Sequence, residues 1–545
     1  MIALFNGKVY SNGDFQEAVI TDGKYIKKIG KTKELEQYIS EADTRIDLKG
    51  KVVIPGFIDP HAHGGYSVSL GMYTIDLSAC DSVEAYVETI EMFISEHPDE
   101  EVYRGIGWQA PYFGEDGPEK EILDRICREK PVVLKAVEGH ALWVNSKAIE
   151  MAGITSNTPD PNAGVIARNS DGSIRGEFKE EAQDLIENKI PDFSVEQYKE
   201  AILEYQKQMV SYGITASCEM QMKRNSNLHR AYQELADNNE LIIKEGMHYL
   251  VKSNETEADI MKEFANPPRA FDNKLSDGYF AKIFIDGVVE NATAWLNEPY
   301  ETTPDWSGKG LWSDGCLYEA CKTLNKLGYN IHYHCIGDAA VSQVVRTIGK
   351  IKAEEENNNN RNVIAHVQLA DKNDIQKMAE LGISVSANPY WFGKEKNYYY
   401  KVEKPLLGER AEYQYPMKSL QEAGIVVSSG SDYSVTPEPN PIMAIKTGME
   451  RSFRDIFPGC DEVLWGEEAS DFKSMFDSVT INAAYTMQME AKTGSLEEGK
   501  YADMAVLSSD IFETPSSQMQ NIAVEITISE GEIVYEGNGT NPSAF

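Results

Sequence analysis

The stretch VVIPGFIDPHAH, residues 52–63, is a short apolar run that ends in two histidines, His61 and His63. Because side chains alternate between the two faces of an extended strand, residues two apart project from the same face. Seven more apolar, β-branched runs follow along the chain, with amphipathic segments between several of them. These runs are ITASCEM (214–220), LIIKEGMHYL (241–250), YFAKIFIDG (279–287), YNIHYHCIG (329–337), RNVIAHVQ (361–368), GISVSANPY (382–390) and GIVVSSGSDY (424–433).

Eight strands with helical connections predict an α/β fold, a closed parallel (β/α)8 barrel of the TIM type, over residues 54–489. Residues 64–210 interrupt this repeat after the first strand with further α/β material, and we interpret them as an inserted lobe. Hairpin signals such as Asn12-Gly13 near the start and Glu530-Gly531 near the end mark both termini as strand-rich. We therefore expect residues 1–53 and 490–545 to form one small β domain together.

Composition limits the classes of function. The 545 residues are 41 % hydrophobic and 26 % charged, as in ordinary globular proteins. The formal net charge of −35 argues against nucleic acid or an anionic membrane as a partner. No apolar run is long enough to cross a bilayer, no secretory signal is evident, and the seven cysteines form no C-x-x-C pair. These features predict a cytoplasmic protein that acts on a small molecule.

Several potential metal ligands fall at the ends of predicted barrel strands. His61 and His63 follow the first strand, His334 ends the fifth, His366 the sixth and Asp432 the eighth. The carboxyl ends of all strands in a parallel barrel open on one face, where barrel enzymes build their sites. Imidazole and carboxylate groups suit Zn²⁺, Fe²⁺ or Mn²⁺. The pattern predicts a site for a divalent metal, with zinc as the expected ion.

Several motifs resemble those of the metal-dependent amidohydrolase superfamily: PGFIDPHAH (55–63), HYHCIGDAAV (332–341), NVIAHVQL (362–369), SSGSDYSVTP (428–437) and the tail TINAAYTMQMEAKTGSLEEGKYADMAVL (480–507). The motifs GHALWVNSKAI (139–149) and KIFIDGVVENATA (282–294) are most similar to the YtcJ-like branch, which includes N-substituted formamide deformylases. The resemblance covers essentially the whole chain. It implies a distorted (β/α)8 barrel flanked by a β-sandwich, and enzymes of this kind are often homo-oligomers.

The resemblance also assigns roles to the metal ligands. It implies that His61 and His63 bind the more buried of two metals, whereas His334 and His366 complete the second. Asp432 would contact the first metal and act as the catalytic residue, taking a proton from the attacking water and passing it to the departing nitrogen. Metals would generate the hydroxide and polarise the substrate carbonyl.

Lys282 corresponds to a lysine that CO2 converts to a carbamate bridging two metals. An ammonium beside divalent cations is repelled, so a neutral amine or a carbamate anion is chemically reasonable there. The alternative is that Lys282 pairs with Asp286 or Glu290. In that case the histidines and Asp432 describe a site for one metal, as on the deaminase side of the superfamily. The number of ions, one or two, stays open.

Three polar residues near these motifs have less definite roles. His332 lies two residues before His334 and shares its face one layer deeper, so we interpret it as a packing residue or as a support for the ligands. His140 is a candidate for substrate contact or for a structural role. Glu180 also lies in a segment that resembles the YtcJ-like branch. Because Glu181 is adjacent, the sequence does not determine which of the two glutamates matches the family's position.

Aromatic residues cluster in the loops where a substrate pocket is expected. Trp108, Trp143 and Trp391 are the candidates for contacting an apolar or aromatic substituent. The same residue type is also ordinary material for a protein core, so both roles stay open at this point.

The sequence thus predicts a metal-dependent hydrolase that cleaves a C–N bond, in an amide or an N-acyl or N-formyl amine. Two alternatives are a mononuclear deaminase and a catalytically silent binding or regulatory protein on the same scaffold. A silent protein should lack ligands, whereas all six candidate positions are filled here.

Overall fold

The computed structural model describes residues 1–114, 117–137, 140–161, 164–266, 269–354 and 360–537. For residues 269–272 and 277–279 it describes the backbone only. Residues 538–545 of the predicted terminal domain, and Gly139 of the motif at 139–149, lie outside the described residues. By contacts, the chain divides into two compact units, residues 1–65 with 202–545 and residues 66–201.

In chain order, the strands are β1 (Ile2–Phe5), β2 (Lys8–Ser11), β3 (Asp14–Gln16), β4 (Ala18–Asp22), β5 (Tyr25–Gly30), β6 (Thr44–Asp47), β7 (Val52–Pro55), β8 (Phe57–Ile58), β9 (Thr74–Asp76), β10 (Tyr103–Trp108), β11 (Val132–Ala136), β12 (Ala141–Val144), β13 (Gly164–Arg168), β14 (Ile174–Glu180), β15 (Ile214–Met222), β16 (Lys244–Val251), β17 (Arg269–Asp272), β18 (Leu275–Phe284), β19 (Asn330–Cys335), β20 (Asn362–His366), β21 (Ser384–Ala387), β22 (Val427–Ser429), β23 (Met504–Leu507), β24 (Val524–Ser529) and β25 (Glu532–Glu536).

The α-helices are α1 (Glu36–Glu41), α2 (Gly64–Tyr73), α3 (Val83–Glu96), α4 (Lys120–Ile126), α5 (Ser146–Met151), α6 (Asp184–Glu187), α7 (Val195–Ser211), α8 (Asn227–Asp237), α9 (Glu257–Glu263), α10 (Asp314–Lys326), α11 (Asp338–Glu354), α12 (Lys372–Glu380), α13 (Lys404–Leu407), α14 (Met417–Glu422), α15 (Pro441–Glu450), α16 (Phe472–Ser478) and α17 (Ile481–Thr486). None of the described helices combines the length and the apolar character needed to cross a membrane.

The central sheet of the larger unit contains one strand from each of the eight predicted runs. Its order is β8-β15-β16-β18-β19-β20-β21-β22, and every neighbouring pair is parallel. The two edges of the sheet approach each other through a parallel bridge between Ala62 and Tyr433. A ninth strand, β17, pairs antiparallel with β18 beside this path. Eight parallel strands in a curled sheet with intervening helices fit a distorted (β/α)8 barrel.

The first predicted strand is divided between two sheets. Its VVIP half, β7, pairs with β2 and β23, and only Phe57 and Ile58 join the barrel as β8. The expectation of one barrel strand over the whole run was therefore wrong. The polar carboxyl end of the run nevertheless stays at the barrel, because β8 follows β7 after a single residue, Gly56.

Two further sheets are built from the strands that precede and follow the barrel strands along the chain. One has the order β5-β4-β1-β6, and the other the order β25-β24-β23-β7-β2-β3. Buried side chains from both sheets form a single apolar cluster, to which Leu4, Val19, Val53, Val506 and Ile528 belong.

The second unit, residues 66–201, has its own six-stranded sheet in the order β13-β14-β12-β11-β10-β9. Its core contains Trp108 and Trp143, both completely buried. The unit lies within the segment 64–210 that we interpreted as an insertion. All seven cysteines of the chain are in described residues, and each is free.

Candidate active site

Five of the six predicted ligands converge at the carboxyl ends of the barrel strands. Asp432 Oδ1 lies 3.5 Å from His61 Nε2 and 3.2 Å from His63 Nε2. Lys282 Nζ is 3.3 Å from His61 Nε2. One ligand atom each from His61, His366 and Asp432 lie within 4.8 Å of one another, and all three residues are buried. Residues far apart in the chain thus present several donor atoms to one small volume.

Backbone contacts between the ends of the first and eighth strands hold two of these ligands. The amide N–H of Asp432 donates to the carbonyl of His61 at 2.7 Å. The carboxylate of Asp59 accepts from the amides of both His61 and Ser431, at 3.3 and 3.0 Å. A Cβ at Gly430 would lie only 2.6 Å from Cβ of His61, so this close approach requires glycine. The ligand positions therefore depend on how the barrel edges meet.

Two ligand residues have unusual backbone conformations. The φ angle is +55° at Asp432 and +72° at His366, a region that residues other than glycine rarely adopt. Such a conformation costs about 1–3 kcal/mol and persists where the surrounding structure enforces it, often at functional sites. The fold thus holds these two side chains in directions that an ordinary strand end would not provide.

Burial keeps the imidazoles in the state that binds metals. It holds the pKa of His61 well below the usual range, and the charge of Lys282 acts in the same direction. Burial also lowers the pKa of His366 to about 4. Burial alone would raise the pKa of Asp432, but its hydrogen bond with His63 and nearby positive groups keep that pKa low. Neutral imidazoles beside an ionised carboxylate are the donor set that a divalent metal requires.

Asn388 orients His366 by a hydrogen bond between its Oδ1 and Nδ1 of the imidazole, at 2.8 Å. The amide group of Asn388 donates through Nδ2 to the carbonyl of Gly430 at 2.9 Å, which leaves Oδ1 as the acceptor. Nδ1 of His366 therefore carries its proton, and Nε2 keeps its lone pair for a metal. Ligating histidines commonly have such a partner on the other nitrogen.

His332 supports His61 in a similar way. Its Nε2 is 3.1 Å from Nδ1 of His61, and His332 is completely buried. His248, which the sequence pattern left without a role, is buried beside it with ring centroids 5.3 Å apart. Burial holds the pKa of His332 well below the usual range and lowers that of His248 to about 3. The barrel interior below the ligands thus contains neutral imidazoles.

Lys282 is completely buried, and its expected ion-pair partners bind elsewhere. Asp286 accepts hydrogen bonds from the backbone amides of Trp295, Ile336 and Gly337. Glu290 accepts from the hydroxyl of Tyr398. Among the residues that the structure describes, no carboxylate forms an ion pair with Lys282. Burial lowers the pKa of its amine to about 8, so a neutral, nucleophilic amine is accessible near neutral pH.

His334 lies at the edge of this group. Its Nε2–H donates to the carbonyl of Gly287 at 3.1 Å, and its ring centroid is 4.6 Å from that of His366. In this arrangement Nε2 carries the proton of that hydrogen bond and has no lone pair for a metal, although the side chain lines the adjoining cavity. Its assignment as a ligand of a second metal stays a prediction.

A cavity of about 380 Å³ opens on this group of ligands. His334, His366 and Asp432 form one part of its wall, and Trp391 forms another. The Trp391 ring stacks on His366 with centroids 5.7 Å apart, and its Nε1–H donates to Thr436 at 3.0 Å. Its position is consistent with the predicted contact to substrate.

Trp108 and Trp143 pack in the core of the smaller unit instead. Both indoles are completely buried, and their N–H groups donate to the carbonyls of Leu134 and Glu119. Phe113 packs edge-on against both rings. We therefore withdraw these two tryptophans as substrate contacts, because packing within their own unit accounts for the whole of each side chain.

His140 and Glu180 form an exposed pair in that smaller unit. Nδ1 of His140 lies 3.0 Å from Oε2 of Glu180, which identifies Glu180 rather than Glu181 as its partner in this pair. A contact of His140 with substrate stays a prediction.

Sequence reasoning missed several residues that shape the site. Asn388 and Asp59 each follow or end a predicted strand, so polar residues at strand ends were a usable signal for them. Glu403, which lines the cavity, lies in the segment Tyr399–Glu403 and carried no such signal. Its position is known only from the tertiary structure.

The parallel barrel and the cluster of imidazole and carboxylate groups at its carboxyl end are typical of metal-dependent barrel proteins. The profile of the Amidohydrolase family matches residues 44–535, and the chain belongs to this family. The resemblance inferred from the motifs is thereby confirmed.

Two known proteins are similar to this chain along nearly their whole length. The YtcJ protein of Bacillus subtilis (strain 168) is 29 % identical over 542 residues, which cover 96 % of this chain and 97 % of YtcJ. The N-substituted formamide deformylase of Arthrobacter pascens is 25 % identical over 545 residues, covering 96 % of each chain.

The fold is shared with a solved structure, an uncharacterized metal-dependent hydrolase from Pyrococcus horikoshii OT3. The TM-score is 0.77 at 21 % sequence identity, and the match covers 94 % of this chain and 99 % of the other.

Proposed function

We propose that this protein hydrolyses a carbon–nitrogen bond in an N-formyl or N-acyl amine with the help of one or two divalent metal ions. The observation that carries the proposal is the convergence of His61, His366 and Asp432, with His63 and Lys282. Two members of this group, His366 and Asp432, line the adjoining cavity. A site built only for packing has no need of several neutral imidazoles around one carboxylate.

His61, His63 and Asp432 would hold a first ion, and His366 with a carboxylated Lys282 would help to hold a second. Zinc fits this donor set because it favours imidazole and carboxylate ligands. When bound, the metal lowers the pKa of water and polarises the substrate carbonyl.

The chain's own residues would move the protons. Asp432 is held ionised by its neighbours, so Oδ1 can accept a proton from the attacking water and deliver it to the departing nitrogen. Trp391 and His334 line the space in which the acyl group would lie.

The N-formyl and N-acyl amine class is suggested by one relative and by the cavity. The Arthrobacter pascens protein is an N-substituted formamide deformylase. The cavity next to the proposed metal ligands has aromatic side chains in its wall, which suit an apolar substituent on the amine.

Asp432→Asn is the direct test of this mechanism. We expect kcat on N-formyl arylalkylamines to fall by a factor of about 10²–10⁴, as for loss of a general acid–base, while metal remains bound through the amide oxygen. Activity and elemental metal content are measured on the same preparation, purified without chelator in the presence of bicarbonate. Full activity in the variant would overturn the role of Asp432, and a metal-free wild type after reconstitution would overturn the metal site.

A mononuclear deaminase is the second candidate, since His61, His366 and Asp432 by themselves can hold a single ion. It predicts one metal per chain and unchanged activity in Lys282→Ala, measured as ammonia release. Two metals per chain together with a strong loss of activity in this variant would exclude it.

We also propose a cytoplasmic location, in keeping with seven free cysteines and no disulfide among the described residues.

A further inference from the structure

Every charged residue that lines the cavity is acidic. These residues are Glu290, Glu395, Glu403 and Asp432, and no lysine or arginine is among the described lining residues. Glu395 is satisfied locally, because its carboxylate accepts the backbone amides of Asn397 and Tyr398. Glu290 and Glu403 are the two carboxylates in the wall that call for an explanation.

Glu403 is a buried carboxylate without a counter-ion in the described part of the chain. The residue is only 4 % exposed, its Oε1 accepts a hydrogen bond from Nε2 of Gln368 at 2.9 Å, and Gln414 is a second hydrogen-bond partner. Burial, with Glu290 nearby, raises its pKa to about 7. Burying an ionisable group without a partner of opposite charge is costly, so such groups are usually paired. Glu403 must therefore either take up a proton or bind a cation from outside the described chain, and a bound cation would keep its carboxylate ionised.

Aromatic rings complete the surroundings of these carboxylates. Tyr398 donates its hydroxyl proton to Glu290 at 2.8 Å, and Tyr398 and Tyr415 line the cavity with Trp391. The faces of aromatic rings attract cations, and sites for alkylated ammonium groups combine such rings with carboxylates. The wall of the cavity therefore has the chemistry of an organic-cation site.

We propose that the substrate carries an ammonium group, separate from the bond that is cleaved, and that this group binds between Glu403, Glu290 and the aromatic wall. The inference rests on the proposed hydrolase function for the position of the reacting bond. It adds the charge class of the substrate, which neither the family nor the ligand set specifies.

Three N-formylbenzylamines of similar size test the charge preference. They carry a para-trimethylammonium, a para-tert-butyl or a para-sulfonate group, of which the first two are isosteric. We expect kcat/KM for the cationic compound to exceed that of the neutral one by about tenfold, the order expected for a desolvated cation–π contact with carboxylate support, and the sulfonate to be poorest.

Glu403→Gln and Glu290→Gln identify the groups responsible. We expect each to reduce kcat/KM for the cation selectively, by about tenfold for Glu403→Gln, with little effect on the neutral compound. Glu409→Gln is the matched control, since it removes an exposed charge of the same segment that does not line the cavity. Because Glu290 is exposed, Glu290→Gln can still be measured if Glu403→Gln prevents folding.

Calorimetric titration with benzyltrimethylammonium separates binding from hydrolysis. Binding that Glu403→Gln weakens and Glu409→Gln does not would support the cation site even if none of the three compounds is hydrolysed, in which case the proposed hydrolase function fails by itself. Equal kcat/KM for the cationic and neutral compounds, or equal losses in all three variants, would overturn the cation site while hydrolysis stands.

Discussion

Lys282 and Lys244 are both completely buried in the barrel, yet their surroundings differ. Lys244 begins β16, and its Nζ lies 2.6 Å from Asp503 Oδ1 and 3.6 Å from Glu530 Oε1. Asp503 also accepts hydrogen bonds from Thr493 and from the amide of Glu530, so this buried pair is well satisfied. Lys282, near the carboxyl end of β18, has an imidazole at 3.3 Å and no ion pair with a described carboxylate.

The difference separates a structural charge from a reactive one. A buried lysine that joins a carboxylate stabilises the contact between β16 and the strands near the chain terminus. A buried lysine without a carboxylate destabilises the folded protein and is retained where chemistry needs its amine. Glu403 is the acidic counterpart at the same end of the barrel, since it also lacks a described counter-ion. Unpaired buried charges therefore mark the end of the barrel that we propose to be catalytic.

Of the changes that test this comparison, the exchange of Lys282 for methionine should have the largest effect on activity. Methionine keeps most of the unbranched apolar side chain but lacks the amine, and with it the proposed carbamate. We expect kcat/KM to fall by about 10³, the loss of several kcal/mol of transition-state stabilisation, with metal content reduced by one ion per chain. Unfolding by denaturant should show a free energy within about 1 kcal/mol of wild type, or higher, since an unpaired buried amine is removed. A wild-type kcat/KM in this variant would show that Lys282 has a structural role, as Lys244 does.

Lys244→Met should show the opposite result. The change leaves the buried carboxylate of Asp503 without its cation, which should lower the free energy of unfolding by about 3–5 kcal/mol. Below the unfolding temperature, kcat/KM should stay within about threefold of wild type, because Lys244 lies at the amino end of its strand, away from the ligands. Denaturant melts and rates measured on the same samples check both parts. A stable but inactive Lys244→Met variant would contradict the assignment of a structural role to the amino end of the barrel and a catalytic role to its carboxyl end.

A smaller effect is expected from pH on cation binding. The pKa of Glu403 is raised to about 7, so its carboxyl is largely neutral at pH 6 and ionised at pH 8. Burial raises the pKa of the neighbouring phenols Tyr398, Tyr399 and Tyr415, which stay neutral over this range, while Glu290 contributes a nearby carboxylate. Benzyltrimethylammonium should bind about tenfold more tightly at pH 8 than at pH 6, since the ionised fraction of a group with this pKa changes by that factor.

Calorimetry on metal-loaded protein at the two pH values measures this change. Glu403→Gln provides the reference, for which affinity should be weak and nearly independent of pH. The same pH dependence in this variant would assign the titration to another group.

The sequence by itself determined the barrel and the positions of most of the proposed ligands. Buried parallel strands are continuous apolar runs, so all eight could be located, and a polar residue at the end of such a run must lie on the active face. His61, His63, His366 and Asp432 follow from this rule alone. The resemblance to the amidohydrolases added Lys282, whose chemistry no spacing reveals.

Tertiary structure decided the rest, because it depends on contacts between residues far apart in the chain. The absence of a described carboxylate beside Lys282, the orientation of His334 toward a carbonyl and the burial of Glu403 in the cavity wall are properties of packing, not of spacing. Trp108 and Trp391 show the same limit, since both were candidates for substrate contact and only Trp391 lines the cavity. Residue type and position in a strand determine which groups can reach a site, and the packing around them determines their charge and their partners.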